Sequence, residues 1–380
     1  MAVIGEDSDS GSGQIESRNF TDLALSNLNR CHSDCFTPGL LLKAEPTMNK
    51  TERIQAAVFG DKPDCLPYSF WTHLPGFDLD PVLLAEKTYQ FYKNYDIDFI
   101  KTMNNGMYAI EDYGGAIDYS DIENGGVAKL ISTPIRSAAD WEKLVVCRVD
   151  QGSLKRELLS LSLLLEKVKD ENVPVLFTVF SPMTTAEKLS GGKLLSHIAD
   201  GHGKAVHKAL QVIAETTANL ASEAMRLGAD GVFFASQLSS YNVMKSDCYI
   251  EYGKRYDLAV LEAAGSGWFN TLHAHGDNIM FEVLRDYPVP VFNWHAWESL
   301  PALDEARALT GKCLMGGLRR MDITNHNKNE VQHQIFECFR KLGGRNHILT
   351  PGCVVRHPLD NEMLAYVHKT KDFVAACCKQ

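Results

Sequence analysis

An α/β architecture, a single (β/α)8 TIM barrel, is the fold this sequence predicts, and three observations predict it. Eight short apolar runs alternate with helical patterns from Leu66 onward. No break in composition along that stretch marks a second domain. Polar and ligating residues collect where the runs end, at His73, Asn104, Ser181, Gln237, His273, His275, His295, Arg319 and Cys353. That is the face on which barrels of this kind build their sites. A doubly wound open sheet is the alternative, but no G-x-G-x-x-G follows the first run, so no nucleotide cofactor is expected.

Residues 1–47 read as a leader: Gly5 to Ser17 is acidic and rich in Ser and Gly, which predicts disorder, with a short helix near Phe20 to Leu28. The barrel is expected over 48–380. Asn49 or Thr51 is suited to cap a helix running to Phe59. Strands are expected at Leu66–Trp71, Ile97–Met103, Val173–Phe180, Gly231–Ala235, Trp268–His273, Val289–Trp294, Cys313–Gly316 and His347–Thr350. Helical patterns separate them at Pro81–Tyr95, Lys204–Leu227, Ser299–Thr310, Asn327–Leu342 and Asp360–Ala376. A long insertion, about 104–170, follows the second strand and holds a turn near Gly106, a polar hairpin-like stretch and a helix.

The 380 residues are 45% hydrophobic and 23% charged, with mean hydropathy -0.18, as in soluble globular proteins. Apolar runs such as Pro174 to Phe180 are too short to span a bilayer. A net charge of -10 with no dense basic stripe argues against a nucleic-acid partner. No signal-peptide pattern opens the chain, and ten cysteines without one fit free thiols in a reducing, cytoplasmic setting. Cys31 with Cys35 lacks the second pair that a zinc finger needs, and Cys377 with Cys378 is expected exposed or terminally packed at the C-terminal end.

The stretch Thr271-Leu272-His273-Ala274-His275-Gly276 places two histidines at i and i+2 where a buried strand ends, so both imidazoles face one side. Leu349-Thr350-Pro351-Gly352-Cys353 repeats the design: a strand, a turn, and a soft ligand at the tip. Two imidazoles and a thiolate are a normal set for a zinc ion that keeps an open position. His273, His275 and Cys353 are therefore the metal candidates.

The helix, Pro-Asp turn and first strand spanning Asn49-Lys50-Thr51-Glu52-Arg53 to Asp64-Cys65-Leu66-Pro67 resemble the opening of the uroporphyrinogen decarboxylase superfamily. The resemblance runs from about Asn49 to Ala376 and implies a (β/α)8 barrel, often dimeric. One branch decarboxylates uroporphyrinogen without a cofactor and carries an arginine-rich loop after strand one. Here that loop reads Trp71-Thr72-His73-Leu74-Pro75-Gly76-Phe77, with no guanidinium to grip tetrapyrrole carboxylates. The other branch is zinc-dependent and moves a methyl group from a corrinoid protein to a thiol. It carries His-x-Cys-Gly and Pro-Gly-Cys, which His273-Ala274-His275-Gly276 and Pro351-Gly352-Cys353 match except that His275 replaces a cysteine. One thiolate fewer makes the ion more electrophilic and admits copper or iron as alternatives.

The resemblance thus implies a metal-dependent methyl or alkyl transferase acting on a small thiol or anionic substrate, with a methyl-donor protein as partner. Decarboxylation of a smaller acid, with His73, His295 and Arg319 as charge partners, is the second reading. A non-catalytic metal-binding barrel is the third. His295 is open to three roles: fourth ligand, general acid/base or substrate hydrogen-bonder. His73 and Arg319 or Arg320 are placed to meet an anionic group, Glu111 and Asp112 to handle protons or supply a fourth ligand, and Asn104, Ser181 and Gln237 to line the pocket.

Overall fold

The computed structural model describes residues 47–120, 128–356 and 358–377; the leader and the Cys31 and Cys35 pair lie outside them, apart from Thr47. Asn49 caps the first described helix, Lys50–Phe59. Its side chain accepts the Glu52 N–H while the Glu52 carboxylate accepts the Asn49 N–H, and Gly60 stops the helix at φ 89°. Asn49→Ala is expected to lower unfolding free energy by about 1 kcal/mol, read as a lower urea midpoint at unchanged slope.

The chain then builds a seven-stranded parallel sheet. Its strands are β1 (Ile100–Lys101), β4 (Val175–Phe180), β5 (Gly231–Ser236), β6 (Thr271–Ala274), β7 (Val291–Trp294), β8 (Cys313–Leu318) and β9 (His347–Pro351), hydrogen-bonded in that order. The polar hairpin expected in the insertion is present as β2 (Ala116–Asp118) and β3 (Lys129–Ser132), a separate antiparallel pair. Every residue of the seven sheet strands is buried, as in parallel sheets covered on both faces. Helices connect them. Gly203–Leu227 turns Val206, Leu210, Ile213, Leu220 and Ala224 inward at helical spacing and ends at Gly228. Trp71, Phe99, Phe233 and Phe269 pack edge to face or tilted, with ring centres 5.1 to 6.5 Å apart.

Seven strands stand where eight were expected, and proline is the reason. Pro67 has no N–H to donate, so Leu66–Trp71 does not make a regular ladder and keeps a single parallel bridge, Tyr68 to Leu349. The segment still reaches both edges of the sheet. Pro67 O accepts the Leu349 N–H at 2.8 Å and Ser69 N–H donates to Leu349 O at 3.1 Å, while Tyr68 O accepts the Asp98 N–H at 2.9 Å. The helix expected from Ser299 begins later, at Leu303, because Pro301 disfavours helical backbone in the residue before it. Among the described residues no helix is long and apolar enough to cross a membrane.

Candidate metal centre

Three strand ends converge on one point. His273 is the third residue of β6, and the pairing continues beyond Ala274, since His275 N–H donates to Ser236 O at 2.9 Å. Strand alternation therefore holds through His275, and the two rings stand 5.6 Å apart, centre to centre. His295 immediately follows β7, with its ring 5.2 Å from that of His275 and 6.2 Å from that of His273. Cys353 lies two residues beyond β9. The chain reaches it through Gly352, where a Cβ would stand 2.8 Å from His295 Cα and 2.9 Å from Trp294 O. Only glycine permits so close a backbone approach.

The ligating atoms of His273, His275, His295 and Cys353 all lie within 4.8 Å of one another. Around a tetrahedral zinc with Zn–N about 2.1 Å and Zn–S about 2.3 Å, neighbouring donors stand about 3.5 Å apart. Cys353 Sγ and His275 Nδ1 are 3.6 Å apart, so this pair already has that spacing. Asn293, paired with His273 across the β6–β7 register, settles how one imidazole is presented. Its Nδ2 donates to Met315 O at 2.8 Å, which turns its Oδ1 toward His273 Nδ1 at 2.5 Å. His273 must donate from Nδ1, leaving the lone pair on Nε2 for a ligand. His295 Nε2 is buried and has no hydrogen-bond partner among the described residues, an orphan atom that a ligand or proton would satisfy. Asn293→Leu is expected to weaken metal affinity by about 10–100-fold, measured by competition with a chelator.

Electrostatics favour the same use. Burial resists ionisation of Cys353, yet His275, His273 and His295 around it hold its pKa well below the ordinary thiol value. The thiolate is the form that ligates. Burial holds His273 below its usual range, favouring the neutral ring. Burial also disfavours the His295 cation, but Cys353 and Glu298 more than offset it and the net shift is upward.

The other expected site residues separate by role. His73 keeps exposed surface, while the protein around it and the positive charges of Lys101 and Lys188 hold its imidazole below its ordinary range. Arg319 is half-exposed and pairs with Glu298 at 3.4 Å. Asn104 is buried and donates to Glu157 at 2.5 Å, and its Oδ1 has no hydrogen-bond partner among the described residues. The Gln237 backbone N–H donates to Thr184 Oγ1 at 2.9 Å and its side chain is half-buried. Ser181 is a helix cap, accepting the Thr184 N–H at 3.2 Å. Asp112 accepts the N–H groups of Ser153 and Leu154 at the start of the helix Gly152–Val168. Glu111 is committed to a two-pronged pair with Arg156, at 2.8 and 2.9 Å. Both carboxylates thus do structural work in place of the expected proton handling. Sequence reasoning passed over Asn293 and Lys101, although a polar residue inside a buried apolar strand was the available signal. A surface groove lined by Tyr95, Asp96, Asn361, His368 and Asp372 contains none of these groups.

The fold and centre can be set beside known proteins. No curated protein sequence matches the chain. A methyltransferase from Methanosarcina mazei is similar over 86% of this chain and 99% of its own, at 17% identity and a TM-score of 0.75. A B12-independent methionine synthase from Shewanella sp. W3-18-1, solved with selenomethionine, aligns over 83% of this chain and 94% of its own, at 14% identity and a TM-score of 0.48. At that distance the first likeness shows a shared fold. The family model for uroporphyrinogen decarboxylase (URO-D) matches residues 50–371, most of the chain, and the chain belongs to that family.

Proposed function

We propose that this protein is a metal-dependent methyl or alkyl transferase acting on a small thiol, with the sheet closed by Leu66–Trp71 into a (β/α)8 barrel. One observation carries the reading: three imidazoles and a thiol converge within 4.8 Å at strand ends, with one imidazole oriented by a buried amide. His273, His275 and Cys353 would hold the ion, and zinc suits a mixed nitrogen and sulfur set. The chemistry such an ion supplies is Lewis-acid activation of a thiol at neutral pH. His295 stands beside the same point, with its pKa displaced upward, and accepts the proton that the substrate thiol gives up. The buried ring of Phe233, stacked on His273 at 5.2 Å, supplies an apolar wall that keeps bulk water from the thiolate. The shared fold with a protein named as a methyltransferase supports the reading.

The test joins metal content with turnover. Protein purified without added metal is expected to carry about one equivalent by elemental analysis and to demethylate methylcobalamin only when a small thiol is present. Metal without transfer would point to a non-catalytic metal-binding barrel. Absence of metal, with loss of acid decarboxylation in His295→Ala, would instead favour the lyase reading. That second reading draws on the family membership and on a charge-bearing pocket.

A further inference from the structure

Two lysines, at the end of β1 and on the helix after β4, have no carboxylate partner among the described residues. Lys101 ends β1 and is buried, with its Nζ donating to Thr102 O at 3.1 Å. Lys188, on the helix Pro182–Leu189 that follows β4, donates to Gly106 O at 2.8 Å and sits 3.9 Å from the Phe180 ring centre. The register of β1, β4 and β5 puts Lys101, Phe180 and Phe233 on one face of the sheet, and Lys188 Nζ lies over the Phe180 ring on that face. Among the described residues neither has a carboxylate at ion-pair distance. Each ammonium has three N–H donors and one of them is engaged with protein. Aromatic rings carry this corner to the histidines. Lys101 Nζ is 5.0 Å from the centre of Phe233, and His273 stacks on that same ring at 5.2 Å. Burial first, then the charges of Lys101 and Lys188, hold the His73 imidazole below its ordinary range.

We infer that Lys101 and Lys188 form an anion subsite, which holds the carboxylate, sulfonate or phosphate end of a small substrate whose reacting end meets His273, His275, His295 and Cys353. This deepens the proposed function, since it names the far end of the thiol that reading invokes. A buried and a half-buried cation without a counter-charge are costly, and an anion between them offsets the cost while engaging the unused N–H donors. Burial, pushing Lys101 down to about 8 and Lys188 down to about 7, reflects the same cost. Arg319, the expected clamp, already has Glu298 as its partner and projects half into solvent.

The experiment titrates cobalt(II)-loaded protein with 3-mercaptopropionate and with 2-mercaptoethanol, following the thiolate-to-cobalt absorption band. The acid is expected to bind roughly tenfold more tightly. That preference disappears in Lys101→Met and Lys188→Met, while Lys101→Arg, which keeps the charge, retains it. Equal affinities in the wild type, which needs no variant to fold, would overturn the subsite, as would a preference that survives both Met substitutions. A missing band with either thiol would sink the metal reading alone. The subsite is then read in metal-free protein, where sulfate and propionate should raise the Tm of the wild type but not of the double Met variant. No such rise would overturn it.

Discussion

Cys353→Ala, purified without added metal, is expected to hold close to none of the metal that the wild type carries, and to lose thiol alkyl transfer with it. Cys353 is the sole sulfur in the converging set and the group whose charge the three histidines stabilise. Alanine leaves His273 and His275 of the proposed ligand set, with no thiolate to balance the charge of a divalent ion. The loss should be specific to the centre, since Cys353 is half-buried at a strand tip and the substitution opens no core cavity. Elemental analysis reads the metal, and a thermal melt with no added metal reads the fold. Full metal content in Cys353→Ala would remove the thiolate from the ligand set and would count heavily against the transferase.

Gly352→Val should damage the same centre without touching a ligand. Even the first carbon of a side chain at 352 would stand under 3 Å from the backbone of Trp294 and His295. Those atoms belong to β7 and its immediate continuation, and they yield only if the β7–β9 spacing opens. The expected result is a stability loss of about 1–3 kcal/mol, as for other overpacked positions, together with metal affinity lowered at least tenfold. Chelator competition and urea unfolding on the same preparation separate the two. A variant with wild-type affinity and a reduced Tm would show that the centre does not depend on this close approach.

Much of this architecture was legible in the sequence because period and punctuation are local. Pro81–Tyr95 matched residue for residue, since Asp80 and Pro81 mark its start. The His273 and His275 pair was legible because a strand alternates with a period of two and the apolar run located its end. Their meeting with Cys353 followed from three strands ending on one face of a parallel sheet. What escaped is long-range. Whether His295 ligates or moves protons depends on a few tenths of an ångström across β7 and β9, which no spacing encodes. Asn293 becomes an orienting group only through its register with His273. Glu111 and Asp112 were misread because their partners, Arg156 and the start of the Gly152–Val168 helix, lie some forty residues downstream. The first strand was overcalled because apolar content at Leu66–Trp71 outweighed the missing donor of Pro67.

That last segment also sets the order in which the molecule can be assembled. The stretch around Tyr68 is made early in synthesis, yet the strand beside it is β9, and Thr72 Oγ1 donates to Val355 O across 283 residues of chain. Contacts so distant close late and slowly. A nascent chain therefore exposes the apolar edge of Leu66–Trp71 until nearly everything downstream has left the ribosome. Cys353 arrives on the same stretch that covers that edge. Completion of the fold and of the cluster thus coincide, so that a truncated or stalled chain offers the histidines without Cys353 beside them.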